Sequence, residues 1–174
     1  MVTDFMMDLV KKFIENAKTL AGNECWNCSL TIGSTLMLDF GRKLTYDPPM
    51  VNPNSGNIVE IGEFNFLIFS SWKIENDNEI IASWRDKFWN IKKLDETIGM
   101  LLGNKVKYID LAAPAFDLEI VFENHLRLKV FCDSFTSGEQ DKSNYYFSTL
   151  HELFAVKSQG MLVVKNQDMK RVFV

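Results

Sequence analysis

Between residues 4 and 21 apolar side chains recur at helical spacing. Phe5, Met6, Leu9, Val10, Phe13, Ile14, Ala17 and Leu20 share one face, while Asp8, Lys11, Lys12, Glu15 and Lys18 share the other. Thr3 or Asp4 can cap the start of this helix, and Gly22 can close its end. The mixed charge of the polar face predicts docking onto the rest of the chain rather than onto a membrane. From Ser29 the period drops to two: Leu30, Ile32, Leu36, Leu38 and Phe40 alternate with small or polar residues, as in strands with one buried face. The stretch from Asp47-Pro48-Pro49 to Pro53-Asn54-Ser55-Gly56 reads as a loop, because proline cannot sit in a central strand. Strands are predicted over 58–61 and 64–74, turned at Gly62-Glu63, and over 79–84 after the turn Asn76-Asp77-Asn78.

A short helix is predicted over about 94–102, with Leu94, Ile98, Leu101 and Leu102 inward and Gly103 at its end. Strands follow over 106–111, 117–122 and 126–132. A polar loop spans 134–143, and strands over 144–147, 152–156, 161–165 and 170–174 complete the pattern. One motif occurs twice. Leu36-Met37-Leu38-Asp39-Phe40-Gly41-Arg42-Lys43-Leu44 aligns without a gap on Leu118-Glu119-Ile120-Val121-Phe122-Glu123-Asn124-His125-Leu126. Both read L-x-[LI]-x-F-x-x-x-L: a strand, a turn at Gly41 or Asn124, and the start of a returning strand. A fainter match pairs Phe69-Ser70-Ser71-Trp72 with Phe147-Ser148-Thr149-Leu150. Two similar β units are expected to pack around a shared core. The resulting fold is α+β, with mainly antiparallel sheets built from the two pseudo-repeated units and the N-terminal and central helices packed on them. The chain reads as one domain over 1–174, with repeat halves at about 24–90 and 103–174 and no flexible linker between them.

Composition narrows the function classes. At 174 residues with 47% apolar content, the chain is long enough for a proper core. Its net charge of −4 argues against nucleic-acid binding, which favours a basic face. No apolar run is long enough to span a membrane, and residues 1–5 do not form a secretory leader. Three cysteines, an odd number, do not make a disulfide framework, which fits the cytoplasm.

Candidate chemistry is sparse. Cys25-Trp26-Asn27-Cys28 has C-x-x-C spacing, but it follows a helix, whereas a redox pair sits at a helix N-terminus. A zinc site would need two further ligands, and Cys132, His125 and His151 stand apart in sequence. Two structural cysteines near the start of a strand is the favoured reading. No catalytic residues, cofactor or metal are expected, since no carboxylate–histidine pair, P-loop, dinucleotide fingerprint or nucleophile elbow is present. Asp39, Glu60, Glu63, Asp117, Glu119 and Glu123 read as a solvated face. Trp72, Trp84, Arg85 and Trp89 are the candidate partner surface, because Trp and Arg are favoured at binding hot spots. Covering the open face of a sheet is the competing role for these aromatics.

Leu102-Gly103-Asn104-Lys105-Val106, then residues 116–122 and 126–131, resemble a group of small bacterial proteins of unknown function. Those proteins carry a G-x-x-V…L-x-[LI]-x-F-x-x-x-L-x-[LV] unit, often twice, and some lie beside toxin genes and are thought to act as immunity proteins. Near 145–153 they tend to have a Trp after an acidic residue, where this chain has Tyr145, Tyr146 and Phe147. The resemblance implies a non-enzymatic binding protein that blocks a toxin by contact. A small-molecule binder with a cleft between the two β units is the alternative.

Overall fold

The computed structural model describes residues 4–31, 35–88, 91–132, 143–166 and 171–173. Trp89, and all of the predicted 134–143 loop except Ser143, lie outside the described residues. The fold is α+β. Helix α1 (Asp4–Lys18) precedes strands β1 (Cys25–Leu30), β2 (Leu36–Tyr46), β3 (Glu60–Ile68), β4 (Ser71–Glu75) and β5 (Ile80–Ser83). A 3-10 turn (Trp84–Phe88) leads to helix α2 (Ile91–Ile98). Then come β6 (Val106–Ala112), β7 (Asp117–Phe122), β8 (Arg127–Phe131), β9 (Ser143–Ser148), β10 (Glu152–Lys157), β11 (Met161–Asn166) and β12 (Arg171–Phe173). One antiparallel sheet runs β1-β2-β3-β9-β10-β11, with β12 added on β2, and the other runs β5-β4-β8-β7-β6.

The apolar faces of the two sheets share one core. Leu36, Leu38, Phe40 and Phe66 from the first meet Trp72, Ile74, Leu118, Ile120 and Phe122 from the second. Helix α1 touches the edge strands β6 and β11, and α2 touches the edge strands β1 and β5, so each helix closes one open side between the sheets. Phe13 of α1 reaches inward to Phe154 and Phe147, at centroid distances of 5.2 and 6.0 Å. Each such buried ring contributes about 2–3 kcal/mol of transfer free energy, so the high phenylalanine content of the chain is spent largely here.

The duplicated motif occupies equivalent core positions, one copy per sheet. Leu36, Leu38, Phe40 and Leu44 are buried, as are Leu118, Ile120, Phe122 and Leu126. The matching Phe40 and Phe122 stack on each other at 6.4 Å. The turns differ. Residues 123–125 do reverse the chain: Phe122 N–H donates to Leu126 O at 2.9 Å, and His125 takes φ 68°. Gly41 does not. It sits in a β-bulge inside the continuous strand β2, at φ 72°, and the ladder to β3 resumes at Lys43↔Gly62. The expected turn at Gly62-Glu63 is likewise absent, since β3 runs straight through it. Gly62 is there because the bulged backbone comes close: a Cβ would lie 2.7 Å from Phe40 N and 2.8 Å from Phe40 O.

Other boundaries move for local reasons. The strand expected over 64–74 breaks where Phe69 and Ser70 N–H both donate to Asn144 O, at 2.9 and 3.0 Å, sending β4 into the other sheet. Phe69 is exposed while Phe147 is core, so the fainter match has no structural counterpart. Leu102, expected inward, is 44% exposed, because α2 ends at Ile98 and the chain turns outward after Leu101.

Candidate functional site

The proposed tryptophan surface divides when the chain folds. Trp72 alternates with Lys73 along β4 and points between the sheets, 1% exposed, so it is a core residue and offers nothing to a partner. Trp84 begins the 3-10 turn, half-buried against the rim of the core. The exposed Arg85 guanidinium lies 5.5 Å from the Trp84 ring centroid, within cation–π reach. The turn is fixed from behind, as Ser83 N–H donates to Asp86 Oδ2 at 2.7 Å. Beside it, α2 buries Leu94 and Ile98 while leaving Ile91 at its start 61% exposed. Ile80 of β5, Met100 and Leu102 are exposed as well. Helix α2 contacts β5, the 3-10 turn and the 99–101 segment, so these exposed apolar residues and the Trp–Arg pair sit on neighbouring elements.

The cysteines fall inside β1. Trp26 is the extra residue of a bulge between Cys25↔Phe40 and Asn27↔Asp39, which lets Cys25 and Cys28 both pack against the core. Burial raises both thiols. Cys28 is pushed up to about 12 and Cys25 further still, its shift reinforced by the neighbouring Cys28 and Asp39, so neither is a thiolate near neutral pH. None of the three cysteines is in a disulfide. Among the described residues no three His, Cys, Asp or Glu side chains converge as metal ligands would. His125 is exposed at its turn, with Nδ1 3.8 Å from Asp77 Oδ2.

Sequence reasoning missed a polar cluster on the outer side of the first sheet. Asp39, expected on a solvated face, is 1% exposed. Its carboxyl group accepts from Asn27 Nδ2 at 2.7 Å, Gly62 N–H at 2.8 Å and Asn65 Nδ2 at 2.8 Å. Asn27, Asp39, Asn65 and Ser148 are register neighbours on four adjacent strands, so the cluster is a row across the sheet. Nearby, Arg171 of β12 donates through Nη1 to Thr149 O at 3.4 Å. Burial lowers the Arg171 guanidinium below its usual range, with Tyr46 and Asp39 opposing. The available signal was two asparagines inside strands, where this residue is disfavoured.

The outer side of the second sheet carries a half-buried cluster of paired charges. Glu75 takes Lys129 at 2.6 Å and Lys73 at 2.8 Å, and Lys129 also meets Glu119 at 3.5 Å. Here the expected solvated face holds for Glu119. The chain as a whole matches no family model, no curated protein and no solved structure.

Proposed function

We propose that this protein is a non-enzymatic binding protein that engages a protein partner through the β5–α2 edge, in the manner of an immunity protein that blocks a toxin by contact. The observation that carries the reading is the concentration of outward apolar side chains there. Ile80, Ile91, Met100 and Leu102 are exposed on neighbouring elements, together with half-buried Trp84 and exposed Arg85. An aromatic–arginine pair on elements that also expose four large apolar side chains has the composition of an interface core rather than of an ordinary surface. A cytoplasmic site of action belongs to the same proposal, and three cysteines outside any disulfide support it. No helix among the described residues is long and apolar enough to cross a membrane.

The test is direct titration. The products of the genes flanking this one are purified and titrated calorimetrically with the wild-type chain, with Arg85→Glu and with Ile91→Asp. The reading expects one of them to bind, and each substitution to weaken it by about a hundredfold, the loss of one hot spot. Absence of binding to every flanking product, or binding untouched by both substitutions, overturns it.

A further inference from the structure

On the opposite side of the molecule, α1 forms one wall of an open groove of about 780 Å³. Met7, Val10 and Ile14 line it from the helix, and Ala113, Pro114 and Phe116 face them from the β6–β7 connection. The charged lining belongs to α1 alone: Lys11, Glu15 and Lys18. We propose that this groove binds a free fatty acid, with the alkyl chain laid along α1, the carboxylate held at Lys18, and Lys11 adding positive charge to the same rim.

Four features of the groove argue for that ligand. The volume falls within the roughly 300–1,000 Å³ of small-molecule sites. The far wall is pinned in place: Tyr145 Oη donates to Phe116 O at 2.9 Å, and Cys132 N–H donates to Asp117 Oδ1 at 2.6 Å. From Met7 to Lys18 the helix runs roughly 16 Å, a length that a dodecyl chain matches. Finally, the polarity is one-sided. Neither Lys11 nor Lys18 enters an ion pair among the described residues, whereas Lys12, round the helix, is held by Glu152. A polypeptide laid here would bring backbone N–H and C=O groups against a far wall whose described side chains cannot pair them. An alkyl chain brings none, and its single anionic end meets a rim with two cations to one anion. Met7, exposed at one end, is the adaptable side chain that suits chains of differing length.

The test compares heads on one tail. Dodecanoate, dodecanol and dodecyltrimethylammonium, each below its micellar concentration, are titrated calorimetrically into the full chain. Dodecanoate is expected to bind one per chain, and the cationic amphiphile to bind weaker by about tenfold or more. The double substitution Lys11→Glu with Lys18→Glu should weaken dodecanoate by about tenfold while leaving dodecanol unchanged. Val10→Glu should abolish binding of both. Met7→Glu, at an exposed position that folding tolerates, carries the same expectation should Val10→Glu fail to fold by circular dichroism. No dodecanoate binding, equal binding of the three heads, or binding indifferent to Met7→Glu overturns the proposal. So does a dimer in sedimentation that Met7→Glu disperses, for then the groove is an interface between copies of this chain.

Discussion

Asp39 and Glu75 are both acidic residues on outward-facing strand positions, and each collects several partners, yet the two sheets handle them in opposite ways. Asp39 is buried and held by neutral donors, two side-chain amides and one backbone N–H, all fixed by strand register. Glu75 is half-buried and is held by the long flexible cations Lys129 and Lys73. Desolvation pushes the Glu75 carboxyl upward, but the hydrogen bonds from Lys129 and Lys73 outweigh it, and the group sits below the usual glutamate range. The difference concerns what fails when the acid is removed. Around Asp39 the donors cannot turn to water and are left unmade. Around Glu75 the lysines swing into solvent at little cost.

The comparison breaks most sharply at Asp39 itself. Asp39→Ala should cost about 3 kcal/mol in urea unfolding, because three donors, two of them buried, lose this acceptor at once. A loss under about 1 kcal/mol would mean that water replaces the carboxylate and that the row is no more specific than the surface one. Next in size is Gly62→Ala. A Cβ there meets Phe40 N at 2.7 Å and Phe64 O at 2.5 Å, both backbone, so the strands must part at the point where Gly62 N–H holds Asp39. Roughly 2 kcal/mol of destabilisation is expected by the same measurement, and an unchanged midpoint would show that the bulge has slack. A pair of double-mutant cycles then sharpens the contrast. Asp39–Asn65 should couple by about 1–2 kcal/mol, and Glu75–Lys129 by no more than about 0.5 kcal/mol.

These two acids also mark what the sequence could and could not disclose. From Val106 onward the strands were legible, because apolar stretches are separated by turn residues such as Pro114, Asn124 and Gly160. Core positions of the repeated motif were legible for the same reason, whereas the stacking of Phe40 on Phe122 emerged only in the fold. Gly41 was not, since glycine in a bulge and glycine in a hairpin turn present the same letter, and only the partner strand decides between them. Asp39 was hidden because its partners lie 12, 23 and 26 residues away and meet only through register. Of the tryptophans grouped with Arg85 as a candidate surface, Trp84 stays at the rim of the core, but Trp72 does not reach the surface. A tryptophan near two others in sequence says nothing about which side of the next strand it occupies, and the crossover at Phe69-Ser70 placed Trp72 inside.

The smallest effect gives the contrast its pH dependence. Glu75→Gln removes the charge and keeps the shape, and at neutral pH it should cost less than about 1 kcal/mol, shrinking as salt is added. The sign with pH follows from the direction of the shift. The Glu75 carboxyl is lowered in the folded state, so its contribution is complete above the ordinary glutamate range and is lost as acid protonates the folded group. Wild type and Glu75→Gln should therefore differ in urea midpoint at neutral pH and converge as the pH falls below that range. Salt offers an independent handle, since ions screen lysine–glutamate attraction at the surface but leave amide–carboxyl hydrogen bonds in a buried row nearly untouched. If Glu75→Gln proved as costly as Asp39→Ala, and insensitive to salt, the distinction between a register-held acid and a cation-held one would fail, and the second sheet would have to be read as depending on its outer charges as the first depends on its buried row.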